Sequence, residues 1–277
     1  LGGKKVNVRK LVLLALSIFL FLLFSGCNQS PRIIQDVHEL DGTVIGCILG
    51  YSSDLILTKD YPNVELRRFD SYGDMMMALT FHQLDAAAME MDEAYVFCRL
   101  QPEYMILGTF VEQDTFSYCL NPRTPAFNEQ FNSFVAEFRK TPEYQDLLQR
   151  VKESAFHPFE AKAVSYEQTP GKVLRVSVYD GWEPVSYVNT STNEWEGADI
   201  ELITHFAKSM GARIEFVSLG SYTQAILDLS LGKVDIMVCP DTLRFKEDLE
   251  KAGNVTMSDG VWEKDIVIIV NTKEYEQ

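Results

Sequence analysis

Five cysteines and four histidines are the side chains from which a metal centre or thiol chemistry would be built, and their spacing supports neither. Cys47, Cys98, Cys119 and Cys239 stand far apart, without the C-x-x-C pattern of a zinc or redox site. Three of them lie in apolar runs, so they read either as small buried hydrophobes or as partners in disulfides of an oxidising compartment. His38, His82, His157 and His205 are scattered. No motif sets a nucleophile beside a base, so neither metal nor cofactor is expected, and acid catalysis would fall to a lone carboxylate such as Glu90 or Glu183. Such a group works as a general acid only where burial raises its pKa. The balance of 40 Asp and Glu against 25 Lys and Arg, with no dense basic cluster after Lys10, excludes nucleic acid as a partner.

Ahead of these groups lies a targeting segment. Lys4, Lys5, Arg9 and Lys10 precede an apolar stretch, Leu11 to Phe24, and Ser25 and Gly26 lead to Cys27. The stretch is shorter than the roughly 18 to 20 residues of a spanning helix and reads as a secretory signal. Its small-small-Cys ending resembles a bacterial lipobox, with Cys27 as the lipidated residue and Phe24 in place of the usual Leu; an uncleaved anchor is the other reading. Both put the remainder outside the cytoplasm, tethered to a bacterial membrane.

Beyond it, apolar runs alternate with helical patterns, which argues for a mostly parallel α/β sheet. Strands are expected at Val44–Leu49, Val64–Leu66, Asp85–Met89, Thr115–Leu120, Val173–Val178, Arg213–Val217, Val234–Cys239 and Ile266–Val270. Helices are expected at Asp74–Phe81, Asp92–Arg99, Asp199–Met210 and Thr223–Leu231. A further helix follows Thr141 as N-cap with Pro142 in its first turn. Two stretches are copies without a gap: "VELRRFDSYGDMMMALTFHQLD" from Val64 and "IEFVSLGSYTQAILDLSLGKVD" from Ile214 align Glu65 with Glu215, Ser71 with Ser221, Tyr72 with Tyr222, Leu79 with Leu229 and Asp85 with Asp235. A repeat of so long a period indicates two paired lobes and not a solenoid.

The stretch from "VLRVSVYDGWEPVSYVN" through "GADIELITHFAKSM" and "VDIMVCPDTL" to "VWEKDIVIIVNTKE" resembles the first lobe of the family 3 extracellular solute-binding proteins, the amino-acid-binding components of ABC importers. "LDGTVIGCILGYSSD", "LDAAAMEMDEA" and "FSYCLNP" resemble their second lobe, and "FNEQFNSFVAEFRKTPEYQDLLQRVK" their C-terminal helices. The resemblance implies a two-lobed periplasmic binding protein-like fold (type II) with its lobes in permuted order. The implied organisation is a signal peptide (1–26), a tether (27–36), a second-lobe-like segment (37–120), helices returning to the other lobe (121–157), a linker (158–172) and a first-lobe-like segment (173–277). Circular permutation is one explanation; a piece of a longer tandem protein is the other. Permutation implies one covalent crossing between lobes, near Thr115 to Pro122, where the family has two.

The resemblance also implies a site. Trp182, with Glu183 beside it, falls where the family places an aromatic over the ligand. Tyr51, Ser52 and Ser53 fall on its lobe-two turn, as ligand donors or simply as helix caps. Glu90 falls on the acidic residue that meets the ligand ammonium, or is a solvated surface Glu. In "CPDTLRFKED" the family's carboxylate-binding Arg is replaced by Glu247; Arg244, one turn earlier, either substitutes or is a surface residue, and Asp241 and Thr242 precede it. An acidic pocket without a placed Arg favours an amine-bearing ligand. The expectation is a monomeric binder that delivers a small molecule to an ABC permease. The alternatives are a sensing or partner-regulating module and, last, a dehydratase-like enzyme.

Overall fold

The computed structural model describes residues 32–181 and 183–275; the signal segment, Cys27 and Trp182 lie outside the described residues. Short apolar runs give β1 (Val44–Ile48), β2 (Glu65–Phe69) and β3 (Ala86–Glu90), separated by helices α1 (Ser52–Asp60) and α2 (Tyr72–Thr80) and followed by α3 (Met91–Leu100). The second half repeats the pattern. β5 (Val173–Val178), a small hairpin of β6 (Tyr187–Asn189) and β7 (Glu194–Glu196), α6 (Ala198–Met210), β8 (Arg213–Ser218), α7 (Tyr222–Ser230) and β9 (Ile236–Thr242) follow one another. Between the halves lie β4 (Tyr104–Leu120), α4 (Pro125–Phe138) and α5 (Pro142–Glu153), and the chain continues after β9 through α8 (Lys246–Gly253), β10 (Thr256–Met257) and β11 (Trp262–Asn271).

All but the hairpin join one sheet in the order β2-β1-β3-β11-β4-β9-β5-β8, with β10 on β4. The flanking trios, β2-β1-β3 and β9-β5-β8, are parallel; the central strands β11 and β4 run antiparallel to each other and to their neighbours. β11 is buried on both faces, as its unbroken apolar run demands: Ile266, Ile268 and Val270 feed one core and Val267 and Ile269 the other.

β4 leaves the first half to pair with β9, and β11 leaves the second half to pair with β3, so two strands connect the halves. Beyond β11, the Tyr275 hydroxyl donates to Ile34 O (2.8 Å) and accepts from Ile34 N (3.1 Å), which places the two ends of the described chain side by side.

The repeat holds at the level of single hydrogen bonds. Ser71 and Ser221 cap α2 and α7 by accepting from Asp74 N and Gln224 N, each at 3.2 Å. Asp85 and Asp235 accept from Val44 N (2.7 Å) and Arg175 N (2.9 Å), tying the third strand of each trio to its first. Leu79 and Leu229 are fully buried.

Residues 158–172 contain no helix or strand and are mostly exposed, held to the body at a few points. Phe159 is buried with the Arg150 guanidinium over its ring, Arg150 donates to Glu160 O (2.6 Å), and the Tyr166 hydroxyl donates to Ala212 O (2.7 Å). Arg150 also forms a bidentate pair with Glu201 (2.6 and 3.0 Å), fixing α5 to α6.

Candidate functional site

The carboxyl ends of the parallel strands face each other across the two central strands, where ligands of open α/β sheets collect. From the first half, β3 ends on Glu90, and Asp92 and Glu93 occupy the first turn of α3; all three are buried. From the second half, Asp199 sits in the first turn of α6, only 1% exposed. Gly197 makes that approach feasible: at φ +127 it carries the helix start within 2.2 Å, measured from an added Cβ, of Val185 O, a place no side chain fits. Ala198 N and Asp199 N then donate to Pro184 O and Val185 O.

Lys264 of β11 enters this carboxylate cluster. Its Nζ stands 2.5 Å from Asp92 Oδ2, in a buried pair. Burial alone would lower the Lys264 pKa; Asp92, Glu93 and Asp199 override it and hold the ammonium charged. Burial likewise opposes ionisation of Asp92, but the lysine wins and keeps that carboxyl below its ordinary range. Glu93 goes the other way, pushed well up by burial first and by the Asp92 charge. Burial pushes Glu90 up to about 7, with Lys264 opposing and Asp92 adding to it. Asp199 rises to about 6, burial again exceeding the pull of Lys264. Asp199 Oδ1 accepts from Trp262 Nε1 (2.7 Å) and from the Tyr118 hydroxyl.

The halves touch above this cluster. Tyr51, at the start of α1, meets Tyr179 edge-on (6.2 Å between centroids) and Tyr72 likewise (6.1 Å). Arg99 of α3 reaches Glu183 across the boundary at 3.0 Å. Between them remains a void of about 30 Å³, lined by residues including Tyr51, Glu90, Glu93, Tyr179, Cys239 and Lys264. That is the space of a water molecule. Among its lining residues Lys264 is the one cation.

Of the expected site residues, Tyr51 and Glu90 line this void. Glu90 is buried and accepts from the Tyr72 hydroxyl (3.3 Å), so the solvated-surface reading is wrong for it. Ser52 and Ser53 are buried at the start of α1, and neither caps the helix, whose N-cap residue Tyr51 makes no side-chain capping bond. Glu183 lies at the boundary, engaged by Arg99 and by Phe159 N. Asp241 is buried in β9 and repeats the role of Glu90, accepting from the Tyr222 hydroxyl (2.7 Å); burial lifts its pKa to about 6 against the hydrogen bonds from Tyr222 and Cys119. Thr242 donates to Asp114 (2.6 Å).

Arg244 is not brought to the void. It is 42% exposed at the side chain, 3.7 Å from Asp114, and lines a separate surface hollow with Asp60, Tyr61 and Phe110. The residues missed in the sequence are Asp92, Glu93, Asp199, Lys264 and Tyr179. "EMDE" after the β3 run held part of the signal, since a carboxylate-dense first turn at a strand end is unusual ground for a surface helix. All four cysteines of the described residues are free, and Cys47, Cys119 and Cys239 are buried, as the hydrophobe reading expects. Among the described residues no group of His, Cys, Asp and Glu has metal-binding geometry, and no helix is long and apolar enough to cross a membrane.

Comparison with solved structures finds a ligand-binding component of an ABC-type import system from Staphylococcus aureus (14% identity, 86% of this chain and 68% of that one, TM-score 0.43). A periplasmic substrate-binding protein of an ABC transporter from Coxiella burnetii is also similar (12%, 84% and 85%, TM-score 0.39). So is a probable transcriptional regulator from Pseudomonas aeruginosa (13%, 97% and 74%, TM-score 0.45). No curated protein matches in sequence. The family model of the bacterial extracellular solute-binding proteins, family 3, matches residues 174–275, from the first strand of the second half to just beyond β11.

Proposed function

We propose that the protein is a lipid-anchored extracytoplasmic solute-binding protein that captures a small, amine-bearing, amino-acid-like solute between its halves and delivers it to an ABC permease. The observation that carries the ligand class is the convergence of buried carboxylates, Glu90, Asp92, Glu93 and Asp199, on one resident cation, Lys264. A ligand ammonium entering this region meets acceptors on both sides, whereas an anion meets a single cation, Lys264, already paired with Asp92. The void of about 30 Å³ does not admit an amino acid, so capture requires the halves to part along β4 and β11 and close again. Trp182, Tyr51 and Glu90 are the residues proposed to contact the solute.

We read the order of the halves as a circular permutation. The adjacency of Ile34 and Tyr275 supports it, because a chain joined there would run from β11 into β1 as the family does.

The test is a thermal-shift screen of amino acids, amines and short peptides. A binder at a hundredfold excess over Kd stabilises by about 2.7 kcal/mol, and Glu90→Gln and Trp182→Ala should each remove the shift of an amine that wild type shows. A flat screen across all classes would overturn the reading. It would favour a partner-regulating module, for which the Arg99–Glu183 contact across an already closed boundary is the specific support. Turnover of a bound solute would point instead to the enzyme reading.

A further inference from the structure

A second cavity, of about 470 Å³, lies beside the closed boundary, walled by α3, α5, the start of α6 and the first residues of β11. Its size falls in the range of sites for small organic ligands, about 300 to 1,000 Å³. Val185 and Lys264 line both spaces; the rest of the wall is distinct. The wall combines the carboxylates Asp92 and Asp199 with the aromatic rings of Tyr95, Tyr144 and Trp262, the last two stacked at 5.5 Å.

Most charges in this wall are already matched. Lys264 is held by Asp92 and Arg139 by Glu263, at 2.5 Å each. Asp92 Oδ1 and Glu93 Oε2 also have no donor, but they belong to a neighbouring pair in which burial and the Asp92 charge favour the protonated form of Glu93. Asp199 Oδ2 differs. Among the described residues it has no donor although Asp199 is 1% exposed, while its other oxygen takes two. A buried acceptor left unmade costs about 1 to 3 kcal/mol, and more when charged. What would satisfy it is a donor that is also a cation, carried on a body that suits aromatic and aliphatic walls.

We propose that this cavity binds a short primary alkylammonium, with its nitrogen on Asp199 Oδ2 and its chain along Tyr95, Leu148 and Trp262. The inference rests on the amine reading of the same carboxylate cluster, to which Asp92, Asp199 and Lys264 also belong, while Tyr95, Tyr144, Leu148 and Trp262 line this cavity and not the void between the halves.

The probe is n-butylammonium chloride added to the full chain, with sodium chloride and sodium butyrate at matched concentration as controls, read by tryptophan fluorescence and melting temperature. Butylammonium alone should give a saturable change. Asp199→Asn keeps an acceptor for Trp262 and Tyr118 and removes the charge, and should weaken binding at least about tenfold. Leu148→Trp fills the cavity from α5 and should abolish the response; it decides the matter should Asp199→Asn fail to fold. The proposal is overturned by an unsaturable response, by an equal response to sodium chloride, or by binding that survives Leu148→Trp, which would place the amine between the halves.

Discussion

Replacing Lys264 by Met removes the one cation from a buried group of four carboxyls while keeping a chain of similar length. Breaking a buried ion pair by deleting one partner costs about 3 to 5 kcal/mol, because the other charge stays behind without compensation. The loss must depend on pH. Asp92 has a depressed folded pKa, so its contribution is present above its unfolded value and disappears as pH falls through the lower folded one. Glu90 (about 7) and Asp199 (about 6) are raised, so each penalises the folded state increasingly as pH climbs from the ordinary carboxylate range to its folded pKa, and by a constant amount above it. Lys264 restrains all three, and without it they titrate higher still. Lys264→Met should therefore cost the full amount near pH 8 and distinctly less near pH 5, where the variant can protonate its stranded carboxyls. Urea denaturation of both proteins across that interval measures it, with Asp92→Asn closing a double-mutant cycle. A loss below about 1 kcal/mol, or one of equal size at both ends of the interval, would refute the account of a buried cation holding the cluster.

Two further outcomes test the architecture. Ser71→Ala and Ser221→Ala remove equivalent caps and should each cost about 1 kcal/mol and add in the double variant; unequal or strongly coupled losses in urea denaturation would show that the repeat is not matched in energy. A rearranged chain that starts at Val173, joins Tyr275 to Ile34 through a short Gly-Ser link and ends after α5 should fold to the same far-ultraviolet dichroism and unfold in one transition. Failure to fold would remove the support that the Ile34–Tyr275 contact gives to permutation.

Much of this fold was readable because its elements are local. The runs "VIGCI", "AAAME" and "VLRVSV" became strands, and the two Ser-Tyr turns became caps, since each needs only near neighbours in sequence. β4 was read only from Thr115. Its first part is interrupted by the polar Glu112-Gln113-Asp114, with Gln113 at φ 45, and the sheet carries the strand through this irregularity by pairing with β11. Lys264 was illegible for a different reason. In "WEKDIVIIV" a lysine between two acids reads as a solvated strand start, and only α3 and α6, distant in sequence, bury it. Arg244 failed in the opposite direction, because helical spacing to Glu247 says nothing about the direction of a side chain on a 3-10 turn, and this one points toward Asp114.

The register of β11 against β4 slips between Lys264 and Ile266, between Ile266 and Val267, and between Ile268 and Ile269. Irregularities of this kind bend and twist a ribbon locally. The irregular length of the central pair lies beside the lysine, with one parallel trio on either side. The Lys264–Asp92 ion pair therefore sits at the same place as the bend in the central ribbon, so the charge cluster and the irregular stretch of the sheet share one location between the two trios.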